Sequence, residues 1–158
     1  MKSVAHFVAL CIAMSVAASA AAEPKERWLV AKASGGTLAY NAETLGRDPK
    51  TGFVTLASAL YLTKSQKNAD GLAFQYVLSE DRLNCADNTF QAVTRVLLDD
   101  NQSIVDQLDL DAEPWRPTSA NAPLAFLHGV ACNGDNIGNA REAASIENAL
   151  NLMKTMAK

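Results

Sequence analysis

Histidine is the scarcest residue of this chain that could take part in acid–base or metal chemistry. The sequence has two histidines, and His6 lies in an N-terminal stretch that we expect to be removed. A hydrolytic triad would need the other, His128, beside a carboxylate and a serine nucleophile, and no nucleophile-elbow motif is present. His128 follows Leu127 on a predicted helix, so its position favours a surface or half-buried packing role over catalysis.

Cysteine chemistry is limited to two positions, Cys85 and Cys132, once Cys11 is removed with the N-terminal stretch. In an oxidising compartment we expect the two to pair, closing a loop of about 48 residues that contributes about 4 kcal/mol of stability. The alternative is two buried free thiols. A redox role is disfavoured because the chain has no Cys-x-x-Cys motif. Zinc is disfavoured because oxidised cysteines offer no thiolate ligand.

Carboxylates are the third group with candidate chemistry. They have enough oxygens for calcium, but they lack the spacing and the turn glycine of a calcium-binding loop. A solvated edge strand that is protected from aggregation by its charges explains them better. The sequence therefore predicts no metal and no cofactor. The carboxylates are those of Asp99, Asp100, Asp106, Asp109, Asp111 and Glu113, and Asn101 adds an amide oxygen.

Residues 1–22 have the organisation of a signal peptide. Lys2 supplies a positive start, residues 4–17 are apolar, and small residues occupy the cleavage region at 18–22. The apolar segment of about 14 residues is shorter than the roughly 20 that a membrane span needs. Lipidation at Cys11 is disfavoured because Leu10 stands where a small residue should precede the modified cysteine. We therefore predict an exported chain with no integral membrane segment after cleavage.

The mature chain is predicted to be acidic and of single-domain size. Removing 22 of the 158 residues leaves 136, an ordinary length for one domain. The formal net charge is −3 for the whole chain and becomes −4 without Lys2. This balance weighs against nucleic acid or an anionic membrane surface as the main partner.

Six segments have the composition of β-strands. The third is apolar on both faces and is predicted to be the central strand. Short polar turns between consecutive strands favour an antiparallel meander. In the fifth strand, strict alternation places Phe90 and Ala92 on one face and Arg95 on the other, and residues 80–88 before it are predicted to be a connection that carries Cys85. The predicted strands are 28–33, 37–40, 53–63, 74–78, 90–98 and 103–108.

Two helices are predicted after the strands. Asn121 can cap a short helix with Ala122 and Pro123 in its first turn, and this helix ends near Cys132. Trp115 before it is favoured as a core residue over a ligand-stacking one. Apolar residues at helical spacing then predict a C-terminal amphipathic helix within 137–158. These spaced residues are Ile137, Ala140, Ala144, Leu150 and Met153.

The expected fold class is therefore α+β. A single antiparallel meander sheet of about six strands has one face covered by the short helix, which the disulfide tethers, and a C-terminal helix follows. We divide the chain into a signal peptide at 1–22, a β-sheet domain at 23–136 and the C-terminal helix at 137–158.

The order of several short elements resembles the surface-adhesin protein E-like family of small exported bacterial proteins. The resemblance covers about residues 28–132, and it implies a six-stranded antiparallel sheet with a helix held on its concave side by a disulfide between Cys85 and Cys132. The chain departs from the family pattern where Pro117-Thr118-Ser119 lacks a glycine. The matching elements are Trp28, Tyr40-Asn41, Leu45-Gly46-Arg47, Phe53-Val54, Leu60, Asn84-Cys85, Arg95, Asp99-Asp100-Asn101, Trp115, Pro117-Thr118-Ser119 and Val130-Ala131-Cys132.

The resemblance implies a non-enzymatic binding protein of the cell envelope, an adhesin-like module that contacts host matrix proteins or other protein partners. The alternative is a periplasmic domain that binds a small ligand or acts as an inhibitor, with its pocket between helix and sheet. The protein would lie in the periplasm, on the outer cell surface or outside the cell. A sheet edge near residues 28–40, guarded only by Lys32, predicts a homodimer or a bound partner segment.

Overall fold

The structure of the protein is a computed structural model that describes residues 26–33 and 36–158. The predicted signal peptide lies outside these residues. Within the described ranges, no helix has both the length and the apolar character that crossing a membrane requires.

Six long strands form one antiparallel sheet in the predicted meander order, each paired with its neighbour in sequence. The third and fourth strands are longer than predicted, and residues 80–84 are a strand and not a connection. Their charged residues indicated a turn, but alternate side chains there, Asp81 and Leu83, are buried. The strands are β1 (Trp28–Ala33), β2 (Gly36–Asn41), β3 (Val54–Lys67), β4 (Ala73–Asn84), β5 (Thr89–Leu98) and β6 (Ile104–Asp109).

Two short strands and two helices complete the fold. β7 (Arg116–Pro117) pairs with the start of β5, and β8 (Arg141–Ala143) pairs with β1. α1 (Ala122–His128) continues into a π-helical turn at Gly129–Asn133, and α2 (Ile146–Met156) follows β8. The predicted fold class is confirmed: an antiparallel meander sheet, a disulfide-tethered short helix and a C-terminal helix.

The C-terminal helix is shorter than the predicted 137–158. Gly138 has a φ of +38°, and Ser145 caps α2 by accepting a hydrogen bond from the Asn148 amide at 3.2 Å. Residues 141–143 between them are extended, because in β8 their backbone groups find hydrogen-bond partners on β1. The helical spacing of Ile137 reflects burial in the core and not a helix. The prediction of a helix over 137–145 is therefore wrong.

Helices cover both faces of the sheet. Alternate residues of a strand point to opposite faces, so each strand contributes to two cores. On one face Leu56 belongs to the same core as Leu127 of α1. On the other face Val30 and Tyr76 belong to the same core as Met153 of α2. This double cover explains why the central strands are apolar on both faces.

β8 changes which edges of the sheet are open. It pairs with residues 28–30, so half of the outer edge of β1 is covered. β2 lies inside the sheet, where Leu38 and Ala39 are buried. The predicted open edge over residues 28–40 is therefore wrong for β2 and for the first half of β1. Among the described strands β6 pairs only with β5, which leaves its outer edge open.

Candidate functional site

One extra residue in β5 decides where Arg95 lies. The ladder between β4 and β5 shifts register, and Val93 has no partner on β4. Such a β-bulge reverses the alternation of side chains beyond it. Arg95 therefore shares the α1 face with Phe90 and Ala92, and these residues line one cavity. The prediction that Arg95 faces away from Phe90 is wrong for this reason.

The bulge brings Arg95 to Asp81 on the neighbouring strand. Arg95 Nη2 donates to Asp81 Oδ1 at 2.8 Å, and the two side chains are 17% and 0% exposed. Arg95 Nη1 donates to the Thr94 carbonyl at 3.0 Å. Asp81 Oδ2 is buried and has no hydrogen-bond partner within the ranges that the structure describes. A buried carboxylate oxygen without a hydrogen-bond donor raises the free energy of the folded state, so a donor placed beside this atom would stabilise it.

The environment of Asp81 shifts its protonation equilibrium. Burial raises the pKa of the Asp81 carboxyl above its ordinary value, because a low dielectric disfavours the charged form. The Arg95 guanidinium opposes this rise by its charge and its hydrogen bond, and Glu80 adds slightly to it. The net direction is upward, so burial outweighs the ion pair.

Two neighbouring cavities share Arg95 of this ion pair, and the smaller one lies between α1 and the sheet. The smaller, about 90 Å³, is lined by Asp81 and Arg95 and by α1. The larger, about 320 Å³, is lined by Arg95 and by the segment that precedes β7. Arg95 and Asn121 line both, and we call the two cavities together the α1 cleft. Other residues of the larger cavity are Phe90, Leu110, Glu113, Pro114 and Arg116.

Local sequence fixes the helix end that forms one wall of the α1 cleft. Asn121 Oδ1 accepts a hydrogen bond from the Leu124 amide at 3.2 Å, which caps α1 as predicted. Upstream, Thr118 is buried and its hydroxyl donates to the Asn88 carbonyl at 3.0 Å. The chain that enters α1 is thus held to the turn before β5, and Asn121 at the N-terminus of α1 lines the same two cavities as Arg95.

The disulfide holds the opposite end of α1. Cys85 follows β4, Cys132 lies in the π-helical turn, and their Cα atoms are 5.4 Å apart. This bond is the predicted one. His128, the last residue of α1, is 5% exposed, so the prediction of a surface or half-buried position is wrong. Its imidazole lies against the disulfide, since one ring nitrogen and both sulfurs are all within 4.8 Å of one another.

The acidic residues near β6 do not converge on a common point. Asp106 accepts a hydrogen bond from Asn68 at 3.1 Å, and Asp111 forms an ion pair with Arg82. Different partners engage these carboxylates, which is typical of surface charges.

Trp115 is not the core residue that its sequence position favoured. It is 36% exposed, and its ring packs against Phe53 with centroids 4.7 Å apart.

Asp81 was not recognised as a site residue from the sequence. The charged run at residues 80–82 indicated a connection and masked the strand alternation that buries Asp81. Arg95 was expected on the face of the fifth strand opposite Phe90 and as part of a resemblance, but not as a site residue. A charged residue that faces the core would have indicated a site, but the bulge meant that simple alternation assigned Arg95 to the wrong face.

The resemblance to the surface-adhesin protein E-like family stays a prediction. Comparison with protein-family models, curated proteins and solved structures found no match to this chain.

Proposed function

We propose that this protein is an exported, non-enzymatic binding domain of the cell envelope that holds a small polar ligand in the α1 cleft. One observation carries the proposal: Asp81 Oδ2 is buried beside a cavity and lacks a hydrogen-bond donor among the described residues. A ligand can supply that donor. The proposal favours the small-ligand alternative over an adhesin-like module.

The chemistry of the α1 cleft supports binding over catalysis. Its buried carboxylate pairs with Arg95 through Oδ1, which leaves Oδ2 as an acceptor for a ligand. The two serines of the smaller cavity, Ser58 and Ser79, have no histidine beside them among the residues that line it. His128 lies at the other end of α1, against the disulfide. A serine nucleophile would need a neighbouring base to be activated.

The charges around the α1 cleft define a class of ligand. They come in opposite pairs, since Asp81 pairs with Arg95 and Glu113 pairs with Arg116. A balanced site does not attract a ligand with one dominant charge. It suits a molecule that carries a donor for Asp81 and an acceptor for an arginine, on a body that contacts apolar residues such as Phe90. Free amino acids and short peptides meet this description.

A second candidate function is adhesin-like contact with a protein partner or a second copy of the chain, through the edge of β6. Ile104 on this strand is 69% exposed and Leu108 is 40% exposed. An open strand edge can accept an extended partner segment by backbone hydrogen bonds. The charges of Asp106 and Asp109 disfavour strand pairing at this edge, so the α1 cleft remains the favoured site.

We expect at least one amino acid or short peptide to stabilise the protein against thermal unfolding. A ligand that binds only the folded state contributes about 2.7 kcal/mol at about 100 times its Kd. The measurement is a thermal-shift screen of these compounds, with isothermal titration calorimetry for those that raise Tm. If no compound of this class raises Tm, the proposed ligand class is wrong.

Two variants test whether the ligand occupies the α1 cleft. Asp81→Asn replaces one of the two carboxylate oxygens, both acceptors, with an NH2 donor. We expect this variant to lose ligand binding while circular dichroism shows a folded protein. Ile104→Lys is the matched control, because it changes the β6 edge and leaves the cleft intact. Binding that survives in folded Asp81→Asn would place the ligand outside the α1 cleft and contradict the proposed site.

Export is a separate prediction. We expect the chain recovered from cells to begin at Ala21 or Glu23 and to have no free thiol, because the signal peptide carries Cys11 away. Intact-mass measurement and a thiol reagent under denaturing conditions check both points. A mass that includes Met1, or two reactive thiols, would contradict them. Protease treatment of intact cells then distinguishes a periplasmic protein, which suits a small ligand, from a surface protein, which suits adhesion.

A further inference from the structure

The cluster of His128, Cys85 and Cys132 contains the donor atoms of a metal site. One imidazole nitrogen and the two sulfurs lie within 4.8 Å of one another. Metal–ligand bonds of about 2.0–2.3 Å, as for zinc, place the donors of a three-coordinate ion about 3.5–4.0 Å apart. In the structure the two sulfurs are bonded to each other, so they must move apart on reduction to reach this spacing, and the backbone already brings the three side chains together.

A second observation concerns the same histidine. His128 is 5% exposed, and its Nε2 atom is buried without a hydrogen-bond partner in the described part of the chain. A buried imidazole nitrogen normally has a partner, because an unmet polar atom costs free energy. While the disulfide is intact, the two sulfurs are bonded to each other and offer no thiolate.

Reduction changes the chemistry of these sulfurs. A dithiol reductant donates two electrons to the disulfide and becomes a disulfide itself, and the Cys85 and Cys132 sulfurs each take up one proton. Both cysteines are partly exposed, so a reductant can reach the bond. When a metal ion binds, the two thiols lose these protons and the thiolates become ligands.

We propose that the reduced protein binds one Cu(I) ion through Cys85, Cys132 and His128, and that the disulfide is the closed, metal-free form of the same site. Soft thiolates favour Cu(I), and an imidazole suits copper as well. Zinc with three protein ligands completes its coordination with a fourth ligand or a water. Among the described residues this cluster holds three such donors, Cys85, His128 and Cys132, so a zinc ion here would need a further ligand.

Bound copper would also replace the cross-link that reduction removes. The disulfide joins the C-terminal end of α1 to the end of β4, and an ion held by both cysteines and His128 joins the same segments. We therefore expect Cu(I) to raise the Tm of the reduced protein towards that of the oxidised protein.

The test uses the full chain as recovered from cells, purified without a histidine tag. One sample is reduced with a phosphine and desalted without oxygen, and the other is left oxidised. Each is titrated into the coloured Cu(I) complex of bicinchoninate, whose absorbance falls when the protein removes copper. We expect the reduced protein to remove one equivalent and the oxidised protein to remove none.

Variants on α1 separate a ligand role from a packing role. His128→Phe keeps a buried ring without a donor nitrogen, and we expect its Kd for Cu(I) to be weaker by more than about 10–100-fold, the range seen when even an outer-shell partner is lost. Leu127→Val is the matched control, because it loosens the same helix and keeps all three donors. It should bind copper like the wild type.

Several results would overturn the proposal. Equal copper uptake by the oxidised protein would place the ion elsewhere, and unchanged affinity in His128→Phe would remove the imidazole from the site. Failure of the reduced wild type to remove copper from bicinchoninate would exclude the site altogether. Displacement of the bound copper by Zn²⁺ would refute the assignment of the ion. None of these outcomes depends on ligand binding in the α1 cleft.

Discussion

Replacing Cys85 with Ser is expected to lower the free energy of unfolding by about 2–5 kcal/mol, and Cys132→Ser should lower it by nearly the same amount. Each change removes the same cross-link between the end of β4 and the turn that follows α1. The link restricts the unfolded chain, and it also holds α1 against a core that includes Leu124 and Leu127. Urea titration at constant pH measures the loss.

The double variant distinguishes a shared bond from two separate contributions. If the two cysteines act only through the disulfide, the double variant Cys85→Ser/Cys132→Ser should have nearly the same free energy of unfolding as either single variant. The difference should stay within a few tenths of a kcal/mol. The wild type treated with a reductant should unfold at nearly the same urea concentration as the variants. Fully additive losses would show that the two cysteines do not act as a bonded pair.

Replacing Arg95 with Met should cost about 3–5 kcal/mol at neutral pH, because it leaves the Asp81 carboxylate buried without its charge partner. Asp81 is 0% exposed, so water cannot take the place of the guanidinium without rearrangement. The matched control is Arg82→Met on the neighbouring strand. Arg82 pairs with Asp111, but these side chains are 42% and 55% exposed, so we expect a loss below about 1 kcal/mol.

The pH dependence of the Arg95→Met defect identifies its cause. The pKa of Asp81 is raised in the folded protein, so the stability linked to its protonation is fully present below the unfolded value of about 3.9. That stability is lost as the pH rises through the raised folded pKa. Without Arg95 the folded pKa rises further, so the variant should lose more stability on going from acid to neutral pH than the wild type. Urea titrations between pH 4 and 8 measure this slope.

A double substitution tests the same argument by removing both charges. Arg95→Met/Asp81→Leu removes both charges, and an apolar replacement of a buried ion pair is often neutral or stabilising. The double variant should therefore recover most of the stability that Arg95→Met loses. If Arg95→Met is as mild as Arg82→Met, or if the double variant is the less stable one, Asp81 is not held by Arg95 in the way described.

The order of strands and turns was readable in the sequence because it depends on local patterns. Apolar alternation and short polar turns predict consecutive antiparallel strands, and β1 has the bounds expected for it. Asn121 could be recognised as a helix cap because the capping hydrogen bond joins residues three apart in the chain. The disulfide followed from a count of cysteines, since the predicted mature chain has only two.

The sequence alone could not place the side chains of the α1 cleft. A bulge at Val93 depends on the register between two strands, and no local pattern revealed it, yet it decides that Arg95 meets Asp81. The length of the C-terminal helix was also beyond local patterns, because residues 141–143 become a strand only where β1 offers an unpaired edge.

The sequence of this protein by itself determined the succession of strands, the short capped helix and the identity of the cysteines that could pair. Each of these depends on residues close together in the chain or on a simple count. The tertiary structure alone decided that α2 covers the second face, that Asp81 and Arg95 form a buried pair, and that His128 lies against the disulfide. These contacts join residues far apart in sequence, and their geometry is set by strand register and by the packing of helices on the sheet.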